Sequence, residues 1–338
     1  MSEIRILSAK DVTACLTMDE VIDAVRETYQ QKAEGAAEAW PMVYHAFEPG
    51  VADMDIKSGV LGAPGVFGHK TVAWFSDNPK RGLPDLYGII VVLSSETGEP
   101  VGVVDGSAIT GLRTGAAGGL GAKVLANPTS ESLLMVGAGH QAPYQIAATL
   151  SLLDGIKVVR VANPHNPDRA CDLASHLPRK LADQFHREFP GVRFEAADDL
   201  AKAVDASDIV ITATMATSPL IDASWVRRGT HFSCMGADMP GKQEIDPAII
   251  AGARLFTDDT ANCVGNGEIE LGLAQGVFGP GQVAGELGEV LAGKVEGRID
   301  PDDITVFDSA GTALLDIACA KIALDRAAEL GLGTVAAL

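Results

Sequence analysis

One stretch limits what this chain can fold into more than any other: SLLMVGAGHQAPYQIAATLSLL, residues 132–153. A continuous apolar run ends on Gly137, a second glycine follows at Gly139, and helical apolar spacing runs from Gln141 to Leu152. This is a buried strand, a glycine turn and a helix in the pattern G-x-G-x-x-A, with Ala142 where helix must pack on strand. The glycines let backbone approach a pyrophosphate, and the helix start offers free N–H groups and a positive dipole end. Gly137, Gly139 and Ala142 are therefore candidate cofactor-binding residues. A glycine turn with no ligand would look the same in isolation, because the motif alone is weak.

The residues that follow add weight. KVVRVAN, VRFEAA, DIVITAT, THFSCMG, ARLFTDD and ITVFDSAG read as strands, separated by the helices 167–184, DLAKAVDAS and DPAIIAGA. Strands alternating with helices at this spacing predict a parallel sheet with right-handed crossovers, a doubly wound α/β domain over 127–311. At the end of its second strand an acid would hold the ribose of NAD and an adjacent Arg would favour NADP. VANPHNPDRA has neither there. Asn163 can bond a ribose hydroxyl, so the cofactor is NAD or NADP, the missing guanidinium favouring NAD.

A length of 338 residues fits two domains. Before residue 127 we expect a first strand EIRILS, a helix from Thr17 to Ala33, strands over 67–75, 86–93 and 101–104, and a Gly/Ala-rich helix over 109–125. The formal charge of −19 offers no basic field for phosphates and argues against nucleic-acid binding. The five cysteines show no CxxC spacing, which points neither to a disulfide framework nor to a metal site. MSEIRILSAKDV lacks an apolar signal core, and no apolar run is long enough to span a bilayer. A cytoplasmic protein without a membrane partner is the expectation.

Within FGHKTVAWF, residues 67–75, Lys70 sits in a run that otherwise reads as buried strand. Lysine is seldom buried unless paired, so Lys70 is either a snorkelling edge residue or an inward cation paired with a bound carboxylate. Alternation would send His69 to the other face, leaving it structural. Cys234 reads as an inert buried thiol, and Glu268 and Glu270 as a turn and a helix start.

KTVAWFSDNPKRGLPDLYG, TGEPVGVVDGSAITGLRTGAAGG, VGAGHQA, MGADMPGKQEID and FDSAGTALLD, in that order, resemble the ornithine cyclodeaminase/mu-crystallin family, from about residue 55 to the end. The resemblance implies a Rossmann domain inserted into a second α/β domain, 1–126 with 312–338, that binds substrate and mediates homodimerisation. It places Lys70 at the family's active-site lysine, Arg113 at its substrate-carboxylate arginine, Asp238 at its catalytic aspartate, Ser309 near the nicotinamide end, and Gly137, Gly139, His140, Gln141 and Ala142 on the cofactor-binding dinucleotide turn. The bland alternatives are an ion-paired helix residue for Arg113 and a turn residue before Pro240 for Asp238.

Ornithine cyclodeaminases and several relatives also carry an arginine before the lysine strand. Here no Arg or Lys stands between Lys32 and Lys57, so His45 and Lys57 are the nearest substitutes. The expected activity is NAD(P)H-dependent reduction or dehydrogenation of a small α-imino or α-amino acid. The alternatives are a cyclodeaminase using NAD catalytically, and a non-catalytic crystallin-like binding protein.

Overall fold

In the middle of the chain the strands are short and buried along their whole length, as in Ser132–Val136, Ile209–Thr212, His231–Cys234 and Thr305–Asp308. Strands covered on both faces belong to a parallel sheet between helices. The computed structural model, which describes residues 3–338, orders eight strands as Val283–Glu286, Arg254–Thr257, Thr305–Asp308, His231–Cys234, Ile209–Thr212, Ser132–Val136, Val158–Ala162 and Arg193–Ala196. Every pairing among them is parallel. The strand order reverses between Ser132–Val136 and Ile209–Thr212, and Gly137 follows directly on the first of these. That is the switch point where open α/β sheets bind ligands. Leu134, Val136, Val210, Phe232, Leu255 and Val306 lie in the apolar core of this unit.

The second sheet has seven strands, in the order Thr334–Ala337, Glu3–Leu7, Pro100–Asp105, Leu86–Ser94, Val66–Phe75, Ala52–Leu61 and Ala37–Glu48. Its pairings are antiparallel except that of Glu3–Leu7 with Pro100–Asp105. The helix Ala313–Leu330 packs on one face, and Met18–Ala33 packs on that helix. A methyl group at Gly59 would sit 2.7 Å from Leu314 Cδ2, so a missing side chain sets how closely helix and sheet approach. Met18–Ala33 begins as its sequence dictates, with a capping box between Thr17 and Glu20.

Two strands, Ala37–Glu48 and Ala52–Leu61, formed no part of the sequence expectation. AEAWPMVYHAFE hides its period because the register shifts between Trp40 and Val43, around Pro41, and again after Ala46. Proline cannot donate to a ladder and belongs at an edge or a bulge, and this strand is the sheet edge. The compact units comprise Met1–Arg113 with Thr312–Leu338, and Thr114–Gly311. The first division falls inside the helix Gly106–Leu125, whereas the sequence expectation put it after that helix. Among the described residues no helix is long and apolar enough to cross a membrane.

Candidate functional site

Strand Val66–Phe75 alternates as its sequence predicts. Lys70 is 3 % exposed, and His69 and Thr71 beside it are half-buried. Inward-facing Lys70 meets a carboxylate, but one from its own chain: its Nζ donates to Asp316 Oδ1 at 3.1 Å and lies 3.0 Å from Oδ2. Arg113 Nε donates to the same Oδ1 at 3.2 Å. Thr110 Oγ1 lies 3.5 Å from the ammonium. Asp316 is fully buried in the helix Ala313–Leu330. It is the candidate site residue that the sequence reading missed. Its signal was visible in ALLDIACA, one acid in an otherwise apolar helical run, where a buried charge demands a partner.

Burial and the Arg113 guanidinium lower the Lys70 ammonium to about 8, outweighing the support of Asp316. Asp316 is held below the usual carboxylate range by Arg113 and Lys70, against the cost of burial. Of the two candidate substitutes for the absent arginine, Lys57 pairs in register with Lys70 and acts electrostatically on both Lys70 and Asp316. His45 instead stacks edge-on against Phe47, which in turn contacts Phe75 on the opposite face.

In the nucleotide-type unit, Gly137 has a φ of 111°, and a Cβ there would lie 2.5 Å from the Ala213 carbonyl oxygen. Only glycine makes this turn. Nothing lies within 4 Å of a Cβ built on Gly139, so its openness leaves room for a ligand. Ala142, buried, opens the helix Ala142–Leu152 behind Gln141 as N-cap. The Gln141 Oε1 atom is buried without a hydrogen-bond partner, and His140 stacks on Tyr144. Asn163 follows the strand Val158–Ala162 and accepts the Asn166 amide through Oδ1. Ser309 is buried, and its hydroxyl donates to Asp258 Oδ2 at 2.8 Å.

Asp238 lies in the turn between His231–Cys234 and Gln243–Ile245, half exposed, and its Oδ1 accepts from Lys242 Nζ at 2.5 Å. Glu244 ties this turn to the neighbouring loop. It accepts Gly236 N at 2.9 Å, Thr212 Oγ1 at 2.6 Å and Thr214 N at 2.7 Å. Glu268 lies in the turn before the helix Glu270–Ala274, as the sequence suggests, and, fully buried, it accepts the amides of Glu244 and Ile245. Asp308 accepts those of Glu268 and Ile269, and burial pushes its carboxyl up to about 8. Cys234 is fully buried, and burial together with Glu268, Glu244 and Asp308 drives its thiol far above the reactive range, as expected of an inert side chain. These carboxylates act as backbone staples at the strand ends. Among the described residues no group of His, Cys, Asp and Glu is arranged to hold a metal ion.

Residues 2–331 match the family model described as the ornithine cyclodeaminase/mu-crystallin family. The chain is 34% identical over 332 residues to the alanine dehydrogenase of Archaeoglobus fulgidus, covering 98% of both proteins. It superposes on a solved archaeal alanine dehydrogenase dimer with bound NAD at a TM-score of 0.90 and 34% identity, over 99% of each chain. A second solved structure, the Δ1-pyrroline-2-carboxylate reductase of Thermococcus litoralis in complex with NADH and L-proline, also superposes at 0.90. Its identity is 29%, over 98% of this chain and 99% of that one.

Proposed function

This chain belongs to the ornithine cyclodeaminase/mu-crystallin family, and from that premise we propose that it is a nicotinamide-dependent oxidoreductase of a small α-imino or α-amino acid. The observation that carries this reading is the buried trio of Lys70, Arg113 and Asp316. Two cations share one anion, so the trio keeps one net positive charge in a place where charges are costly unless balanced. Asp316 locks both cations in place before any ligand arrives. A substrate carboxylate would complete the balance, with Arg113 as a planar fork and Lys70 as a point charge.

The glycine turn fits the pyrophosphate of a dinucleotide. The open space at Gly139 leaves room for a ligand at that helix start. Gly137, Gly139, His140, Gln141 and Ala142 would hold the pyrophosphate, Asn163 a ribose hydroxyl, and Ser309 would border the nicotinamide end. When bound, the nicotinamide supplies hydride chemistry at a C=N or C–N bond. The NAD and NADH named in the solved relatives favour NAD over NADP. Asp238 holds the substrate nitrogen in this scheme, an ionised carboxylate facing a cationic nitrogen.

We assign the functional form as a homodimer, as in the archaeal alanine dehydrogenase. Trp40, Val43, Phe47, Tyr87 and Ile89 are exposed large apolar residues of the seven-stranded sheet. Ile89 and Tyr87 pair with Thr71 and Ala73, which flank Lys70 at odd spacing and so lie on the face away from the helix Ala313–Leu330. An apolar sheet face of this kind suits a second copy of itself.

The test is cofactor absorbance with purified protein and a panel of pyruvate with ammonia or methylamine, cyclic imino acids and, with NAD, L-ornithine. Steady oxidation of NADH or NADPH by one imino acid establishes the reductase. Ammonia release from ornithine without net cofactor change would establish a cyclodeaminase instead. Cofactor binding with neither reaction would overturn both.

A further inference from the structure

Four residues after Asp238 stands Lys242, which no part of the reaction scheme above uses. Its Nζ donates to Asp238 Oδ1 at 2.5 Å and to the Gly236 carbonyl at 3.3 Å, and lies 3.6 Å from Met215 Sδ. Three N–H donors meet three acceptors, so the ammonium is held in one position. Lys242 is 9 % exposed, whereas the Asp238 side chain is 50 % exposed. The cation is thus built into the unit, and the carboxylate it grips is presented outward.

We propose that Lys242 is the positioning residue for Asp238: it aims that carboxylate and keeps it an anion, so that Asp238 meets the substrate nitrogen as counter-ion to a protonated imine. This rests on the reading that Asp238 faces the substrate nitrogen. A neutral imine is a poor hydride acceptor, and its protonated form needs a stable anion beside it. An aspartate that takes up a proton loses that charge, and an adjacent cation opposes this.

The surroundings hold the turn itself in place. The turn is anchored at both ends by other carboxylates, Glu244 on the Gly236 amide and Glu270 Oε2 on the Gly241 amide at 2.7 Å. Glu268 stands behind Glu244, accepting its backbone amide. The Lys242 ammonium reaches the Asp238 carboxylate from four residues along this anchored turn, an opposite charge in direct contact that favours the ionised form. The buried Lys242 stem, its ammonium also held by the Gly236 carbonyl, fixes where that carboxylate points.

Two measurements test the proposal. Carbon-13 NMR of labelled aspartate, with the Asp238 carboxyl assigned by its disappearance in Asp238→Asn, follows its titration with no substrate present. Lys242→Gln is expected to raise the Asp238 midpoint by about one pH unit, an opposite charge at this range being worth one to three and half-exposure reducing it. Lys242→Arg is expected to restore most of it. With pyruvate and methylamine as the substrate probe, the acidic limb of kcat/KM should move up with the midpoint in Lys242→Gln, and the loss should vanish in the Asp238→Asn background.

An unmoved midpoint, or a rate lowered equally at every pH, would overturn the proposal. Lys242 would then be only a packing residue. If Asp238→Asn kept the full rate while the midpoint shifted as expected, the reading of Asp238 as the nitrogen's partner would fail. The ionic link from Lys242 to Asp238 would still stand.

Discussion

At the scale of single residues, the chemistry turns on which buried charge is paired with what. Lys70 titrates at about 8 in the fold against 10.5 for an ordinary lysine, because burial and Arg113 oppose its charge. Between those values the unfolded chain holds a proton that the folded one has released, so the Lys70 contribution to stability rises with pH across that window. Carboxylate binding needs the charged form. The kcat/KM for an imino acid is therefore expected to fall above about pH 8 while the thermal midpoint does not fall with it, and Lys70→Met should remove that basic limb. Parallel pH profiles of kcat/KM and melting check this, and a limb surviving in the variant would count against Lys70. Asp316→Asn leaves two buried cations facing each other without their shared anion. The expected loss is about 3–5 kcal/mol, read as a lower denaturant midpoint, because breaking a buried pair costs far more than the pair contributes.

Among the elements, the strand–turn–helix at 132–152 separates two uses of glycine. Gly137→Ala meets the Ala213 carbonyl and a positive φ, so it should lower both the melting temperature and the affinity for NADH. Gly139→Val has open space around it, so the melting temperature should barely move while NADH binding, followed by fluorescence, weakens markedly. Equal loss of stability in both variants would deny Gly139 a ligand-facing role. The same alternation of apolar strand and helix made this unit legible from residue 132 onward, because parallel strands buried on both faces appear as unbroken runs. The edge strand Ala37–Glu48 was not legible. Its bulges reset the period of two, and most of its side chains are exposed, so no hydrophobic pattern survives to be read.

For the whole molecule, a dimer through the outer sheet face predicts that Ile89→Lys or Phe47→Glu, both at exposed apolar positions, shifts the protein toward monomer. Light scattering after gel filtration reads this directly, and an unchanged mass in both variants would move the interface elsewhere. The sequence by itself determined the family, the nucleotide-type domain with its glycine turn, and Lys70, Arg113 and Asp238 as the residues to watch. Periodicity and the glycine motif gave the domain, and the resemblance to the family pointed to the three side chains. What only the tertiary structure decided is who holds them: Asp316 for Lys70 and Arg113, Lys242 for Asp238, and the carboxylates that staple the strand ends. Asp316 lies more than two hundred residues from either of its partners. Chain order carries no record of such a pairing, because the burial that makes the charge need a partner exists only once helix and sheet have packed together.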